Sequence, residues 1–284
     1  MQHKVCGHWA LWACFLVILA TGCAPPLPKK SELTGKLIVG GSGAAYPALT
    51  ALTTAFVQQH PRVQISFQPG SQSTTAVKYV TEGKIDIGAI ARALNENERR
   101  STIVHIPVAR DGIALAAHPN VQITGLTSAQ VRDIYSGKIR LWSEVGGASR
   151  DIVVLDRAEG ETARIALRKF VFGTELVVSA EAVVLPTEQD MYESVAAVAD
   201  ALGYFSYSYI VKHPGKVRLL AIDGIVPSVE TLQSGAYPIT RPIGMVVRSD
   251  QRASSPLREF LEFLNTPQSR EALLKSGLLP GGDR

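Results

Sequence analysis

From Lys36 to Ile90 the chain alternates apolar strands with amphipathic helices, and that alternation limits what it can fold into. "KLIVGGSG" is a short strand running into glycines. "YPALTALTTAFVQQH" follows, with Tyr46, Leu49, Leu52 and Phe56 on one helical face. "RVQISFQ" alternates Val63, Ile65 and Phe67, the pattern of a half-buried strand. "GSQSTTAVKYVTEG" opens with Ser and Thr and then turns helical, and "KIDIGAI" is another strand. Strand–helix–strand–helix–strand is the signature of an α/β layer.

Two longer extended runs bracket the middle of the chain. "HIPVARDGIALAAH" (His105 to His118) and "YPITRPIGMVVR" (Tyr237 to Arg248) are each long enough to pass from one lobe to another. Between them the pattern predicts a helix capped by Thr127, a strand at "DIVVLD" and a helix from Glu188 that stops at Gly203. Further strands are expected at "YFSYSYI" and "KVRLLAI". Two amphipathic helices close the chain; the second has Thr266 as cap, Pro267 in its first turn and Gly277 as its stop. The expectation is an α/β fold of two lobes joined by two crossing strands. Lobe I takes residues 36–107 and 243–284, and lobe II takes residues 108–242.

The first residues read as a leader. Lys4 gives a short positive start, and "LWACFLVILA" (Leu11 to Ala20) is too short to span a bilayer comfortably. "LATGC" then ends at Cys23, a small-residue cleavage site with Cys immediately after it, which resembles a bacterial lipobox. The plainer reading is an ordinary secretory signal. On the lipobox reading, residues 1–22 are the signal peptide and Cys23 becomes the lipidated first residue. Residues 23–35 are then a Pro-rich tether, and the body lies in the periplasm or at the cell surface on a membrane anchor. Cys6 and Cys14 leave with the signal, so no disulfide is expected.

A chain of 284 residues that is 46% hydrophobic has ample material for a core. Its net charge of +4 comes with no basic run, which argues against nucleic acid. Catalytic constellations are thin. His60, His105, His118 and His213 are isolated in sequence, with no metal-ligand spacing, so no metal or cofactor is expected. "GGSGA" fails the nucleophile-elbow pattern at Ala44, and no Walker-type loop is present. An enzyme is the weakest reading.

What recurs is a strand ending in a small polar turn that opens a helix, at "VGGSGAAYP", "PGSQSTT" and "LDRAEGETAR". A helix N-terminus offers free N–H groups and partial positive charge, a ready anion site. Arg157 sits in the third turn and Arg92 follows a strand, and an arginine fork matches a tetrahedral oxyanion.

Several stretches together resemble the Pst-type phosphate-binding proteins of bacterial ABC transporters. They are "GGSGAAYP", "DIGAIARAL", "ITGLTSAQVRDIYSGKIRLWSEVGG", "LGYFSYSYI" and "AIDGIVPSVETLQSGAYPITRP", which span most of Gly35 to Gly277. The resemblance implies a periplasmic-binding-protein fold with a ligand cleft between the lobes. It also implies phosphate as ligand, an inner-membrane ABC permease as partner and a monomeric chain. Carried over residue by residue, it implies ligand contacts from Ala45, Tyr46, Ser71, Arg92, Arg157, Gly160, Glu161 and Thr162. Ala45 stands where the family often has Thr, and Ala91 where some members have Ser beside Arg.

The match is weakest at "RAEGET", where the family has Ser-Gly-Thr and this chain has Glu161 before Thr162. One reading puts Glu159 and Glu161 in the first helical turn, facing solvent and favouring the helix's positive end. The other lets Glu161 accept the proton that phosphate carries and sulfate lacks. Two further functions stay open beside phosphate capture. One is another oxyanion, such as molybdate, tungstate, arsenate or sulfate, in the same fold. The other is a surface-anchored sensor or interaction protein with a degenerate cleft.

Overall fold

The computed structural model describes residues 32–100, 102–252 and 255–281; the leader, Cys23 and the tether up to residue 31 lie outside them. The first half follows the alternation read from sequence. Strand β1 (Gly35–Ser42) leads into helix α1 (Tyr46–Gln59), then β2 (Val63–Ser71), α2 (Ser73–Thr81) and β3 (Ile87–Ile90). β1 lies between β2 and β3 and is parallel to both. It passes so close to its neighbours that Gly41 must be glycine. Its φ is +121°, and a Cβ there would stand 2.4 Å from the Ala76 Cβ and 2.5 Å from the Ala89 carbonyl oxygen. After a short helix α3 (Glu96–Arg99) comes β4 (Ile103–Ala117), the first of the two long runs.

The middle contains β5 (Gly125–Leu126), α4 (Ser128–Tyr135), β6 (Val153–Arg157), α5 (Thr162–Leu167), β7 (Val183–Leu185) and α6 (Glu188–Ala197). It continues with β8 (Ala201–Ser206), α7 (Tyr207–Lys212), β9 (Arg218–Leu219), β10 (Ala221–Ile222) and α8 (Val229–Gln233). The second long run is β11 (Thr240–Arg248), followed by α9 (Leu257–Phe263), α10 (Pro267–Lys275) and β12 (Leu278–Pro280).

Three sequence expectations are corrected here. Gly203 does not stop α6, which ends at Ala197; it lies inside β8, where a Cβ would meet the Met191 sulfur at 2.6 Å. "YFSYSYI" is a strand only as far as Ser206, and from Tyr207 it is helix α7. "KVRLLAI" is not one strand but two short ones that pair with different partners, β9 with β4 and β10 with β5.

The main sheet runs in the order β2-β1-β3-β11-β4-β8-β6-β7, with β12 and β9 also paired to β4. The antiparallel pair β4–β11 is its spine, paired from Thr240↔Gly112 to Arg248↔Ile103 with a register shift between Ile243 and Gly244. Two large apolar cores flank it. One holds Val39, Leu49, Phe56, Met245 and Phe260 with Ile106, Val108 and Ala109 of β4. The other holds Val131, Tyr135, Trp142, Tyr204 and Leu220 with Ile113, Leu115 and Ala117 of the same strand. β4 therefore leaves one core and enters the other between Ala109 and Ile113. Leu33–Arg284 is nonetheless one compact unit.

Candidate functional site

A cleft of about 560 Å³ opens where the turns before α1, α2 and α5 converge. Of the eight residues expected at a ligand, seven line it: Tyr46, Ser71, Arg92, Arg157, Gly160, Glu161 and Thr162. Ala45 does not. It is wholly buried at the start of α1, and Ala44 and Tyr46 reach the cleft on either side of it. A second cavity of about 510 Å³ lies among Leu52, Ile106, Leu264 and Leu273 and contains none of these residues.

The three converging helices share a feature. Their N-cap residues, Ala45, Gln72 and Glu161, make no side-chain cap bond. Of the other seven described helices, α3, α4, α6, α8 and α10 are capped by Asn95, Thr127, Thr187, Ser228 and Thr266, while α7 and α9 also lack a side-chain cap. A helix start without a side-chain cap leaves its N–H groups to water or a ligand.

Arg157 is 5% exposed at the end of β6. One Nη donates to the Pro186 carbonyl at 3.1 Å and lies 3.0 Å from a Glu161 carboxylate oxygen. Its Nε is buried without a partner among the described residues. The residue is held from behind. Its backbone N–H donates to the Tyr204 hydroxyl at 3.2 Å, which donates to Asp156 at 2.6 Å. Asp156 also pairs with Arg164, whose guanidinium donates to the Arg157 carbonyl at 2.9 Å. Burial pushes the Tyr204 hydroxyl far above its usual pKa, so it stays a donor to Asp156.

The glutamates do not lie in the first helical turn facing solvent, and Glu161 lines the cleft. α5 starts at Thr162, so Glu159 precedes the helix and Glu161 is its N-cap. Glu159 accepts from Arg164 and Arg168, both at 2.8 Å, and so fastens the turn. Glu161 faces Arg157 rather than open solvent, with 27% of its side chain exposed.

Other expected donors are already engaged. Arg92 lines the cleft, but its fork is taken by Glu98 at 2.7 and 2.8 Å. That pairing holds the Glu98 carboxyl below its ordinary pKa, chiefly through the bond to Arg92. Ala91 is buried, with its N–H donating to Ser73 Oγ at 3.2 Å. The Tyr46 hydroxyl donates to the Gln68 carbonyl at 2.8 Å. Thr162 Oγ1 accepts from Arg241 at 3.2 Å.

Arg241 is the residue that sequence reasoning missed. It is 3% exposed, lines the cleft and has a buried, unpartnered Nε. Its Nη2 reaches Ser206 Oγ, Asp111 at 3.4 Å and Glu188 at 3.4 Å. The signal was present: a charged residue inside each of two apolar strand-forming runs has to be paired when buried.

Among the described residues no group of three or more His, Cys, Asp or Glu is placed to hold a metal ion. None of their helices is long and apolar enough to cross a membrane.

A family model described as a PBP superfamily domain matches residues 28–268. The chain belongs to the PBP superfamily. Within that superfamily it is 27% identical over 286 residues to the phosphate-binding protein PstS of Bacillus subtilis, covering 96% of this chain and 93% of the relative. It is also similar to a solved Clostridium perfringens structure, a putative phosphate ABC transporter substrate-binding protein with bound phosphate. The TM-score is 0.77 at 27% identity, covering 87% of this chain and 99% of the other. An ABC-type phosphate transport receptor from Vibrio cholerae has the same fold, with a TM-score of 0.64 at 24% identity over 86% of this chain and 99% of that one. The α/β architecture expected from sequence is thus that of the periplasmic binding proteins.

Proposed function

We propose that the protein captures inorganic phosphate in this cleft and delivers it to an ABC-type importer, working as a binding protein rather than an enzyme. The observation that carries the reading is the convergence of three helix starts without side-chain caps on one cleft beside the buried Arg157. Backbone N–H groups and an arginine fork are the donor set a tetrahedral oxyanion needs. The relatives from Bacillus subtilis and Clostridium perfringens support phosphate as that oxyanion, since the first is a phosphate-binding protein and the second is solved with bound phosphate.

In this reading Arg157 supplies the charge-assisted bonds, with its unpartnered Nε as a spare donor. Ser71 and Thr162 supply hydroxyls. Gly160 and the starts of α1, α2 and α5 supply N–H groups, with Tyr46 as a wall. Ala45 offers no side-chain donor, and Arg92 serves through Glu98 as a fixed element of the rim. Residues 36–107 with 243–284, and residues 108–242, act as two lobes that close over the ligand about β4 and β11. A lipidated Cys23 with its tether holds the monomer outside the cytoplasmic membrane, within reach of a membrane permease.

Isothermal titration with phosphate tests the reading. Wild type binds, and Arg157→Ala weakens binding by at least about tenfold, because a charged donor is lost from a closed cleft. An unaltered dissociation constant would put the ligand elsewhere. One observation favours a second reading, in which another oxyanion is preferred: Glu161 already occupies part of the Arg157 fork at 3.0 Å. A thermal-shift screen over phosphate, arsenate, sulfate, molybdate and tungstate separates the two.

A further inference from the structure

Behind the anion-facing turns lies a second charged cluster. Asp111 of β4 and Arg241 of β11 are cross-strand partners. Asp111 is wholly buried, and Ser208 of α7 donates to it through its N–H at 3.2 Å and its hydroxyl at 2.7 Å. Glu188, the first residue of α6, accepts from the N–H of Ser206 at 2.6 Å and from the Ser206 hydroxyl. Both carboxylates share one guanidinium nitrogen, Arg241 Nη2. Arg157 and Tyr209 also face Glu188, Leu278 of β12 lies opposite Asp111, and Arg241 also touches Thr162 Oγ1 and the Ala44 carbonyl.

The charges do not balance. Two buried guanidiniums, Arg157 and Arg241, face three carboxylates, Glu161, Glu188 and Asp111, which leaves one negative charge in excess before any ligand enters. The other cleft cations do not correct this. Arg92 is neutralised by Glu98, and Lys212 and His213 are exposed at the rim beside Tyr209. An oxyanion arriving here meets like charge in a region where water screens little.

We infer that Asp111, Glu188 and Arg241 form a proton-accepting subsite of the cleft, so that the protein takes up a proton together with its anion, held by Asp111 across Arg241 from Glu188. The inference rests on the oxyanion reading above. No bond is made or broken. A solvent proton moves to a carboxylate oxygen, and the excess negative charge is cancelled as the anion arrives. Arg241 then keeps one ionised partner, Glu188, and Thr162, which touches both Arg241 and the cleft, connects the subsite to the ligand.

The groups are poised in the right direction. Burial raises the Asp111 carboxyl to about 6, against the pull of Arg241, and the Glu188 charge adds to the rise. Burial also works to raise Glu188, but Arg241 and the Ser206 bonds outweigh it and hold that carboxyl below its ordinary value. The proton therefore goes to Asp111. A bound anion raises Asp111 further, so binding takes up a proton between about pH 6, where free Asp111 ionises, and the higher pH at which Asp111 ionises in the complex. Affinity must fall as pH rises through neutrality and level off below about pH 6.

The test is isothermal titration of the full-length protein with inorganic phosphate at pH 6, 7 and 8, each in two buffers of different ionisation enthalpy. At pH 8 wild type is expected to take up about one proton per anion, with affinity falling by up to about tenfold per pH unit above neutrality. Glu188→Gln keeps an acceptor for Ser206 but removes one charge. It is expected to lose at least half of the proton uptake and to bind phosphate more tightly than wild type at pH 8. Asp111→Asn removes the proton acceptor and should lose the uptake as well. Binding without proton uptake in wild type overturns the inference and leaves the phosphate reading standing. Uptake that is unchanged in both variants overturns it too, because the proton would then belong to the ligand. No phosphate binding at any pH removes the oxyanion reading and this inference together.

Discussion

Glu161 sets the most informative single-residue question. Its carboxylate lies 3.0 Å from Arg157, so the guanidinium that would meet the ligand already has a counter-ion. A neutral amide there leaves Arg157 freer and removes a charge that repels any oxyanion. It also removes an acceptor that favours a protonated anion over sulfate. Glu161→Gln is therefore expected to bind sulfate more tightly and to narrow the gap between phosphate and sulfate by about tenfold, read from paired titrations. An unchanged ratio would make Glu161 a counter-ion to Arg157 and nothing more. At this scale the sequence was legible where a motif carried the residue. Seven of the eight expected ligand residues line one cleft. Arg241 and Asp111 escape because each sits inside a long extended run, Arg241 within a family motif that assigns it no ligand role, and nothing local shows that the two face each other across β4 and β11. Glu188 escaped because it follows the cap Thr187 and reads as an ordinary first-turn acid.

At the scale of elements, the three helix starts at the cleft lack side-chain caps, whereas α6, which also begins at the cleft, is capped. Thr187 caps α6 by accepting from the Asp190 N–H at 3.0 Å, and the next residue is Glu188. Thr187→Ala should cost about 1 kcal/mol of folding stability in urea titration, since one helix donor loses its partner. A change below about 0.3 kcal/mol would mean that water replaces the cap. Gly203 gives a sharper case. A methyl group there would stand 2.6 Å from Met191 Sδ and 2.7 Å from Val195 Cγ2, where α6 packs on β8. Gly203→Ala is expected to destabilise by about 1–3 kcal/mol through overpacking. A glycine stopping a helix would instead be sensitive through a positive φ, which Gly203 does not have. The period-2 reading of "YFSYSYI" failed for a related reason: its aromatic and β-branched content suits a strand. Tertiary packing nevertheless turns the chain into α7 at Tyr207, where Ser208 can bond to Asp111.

At the scale of the whole molecule, one sheet serves two cores. β4 gives Ile106, Val108 and Ala109 to the first and Ile113, Leu115 and Ala117 to the second, and β11 lies beside it from Ile103 to Gly112. Between the two cores, the continuous covalent path through the sheet spine is this pair of strands. In the two-lobe reading, rotation about it would move the α1 and α2 starts towards the α5 start, as hinge closure over a bound anion requires. The change is expected to be visible with dyes on Cys residues introduced at Lys78 of α2 and Glu193 of α6, both exposed, in a chain whose Cys6, Cys14 and Cys23 are replaced by Ser. Saturating phosphate should raise energy transfer between the dyes in the wild-type cleft and leave it unchanged in Arg157→Ala at the same concentration. A ligand that binds equally well to open and closed forms shifts nothing. Constant transfer in a protein that titrates normally with phosphate would therefore show that the anion binds to one wall alone, and that β4 and β11 act as a rigid spine rather than a hinge.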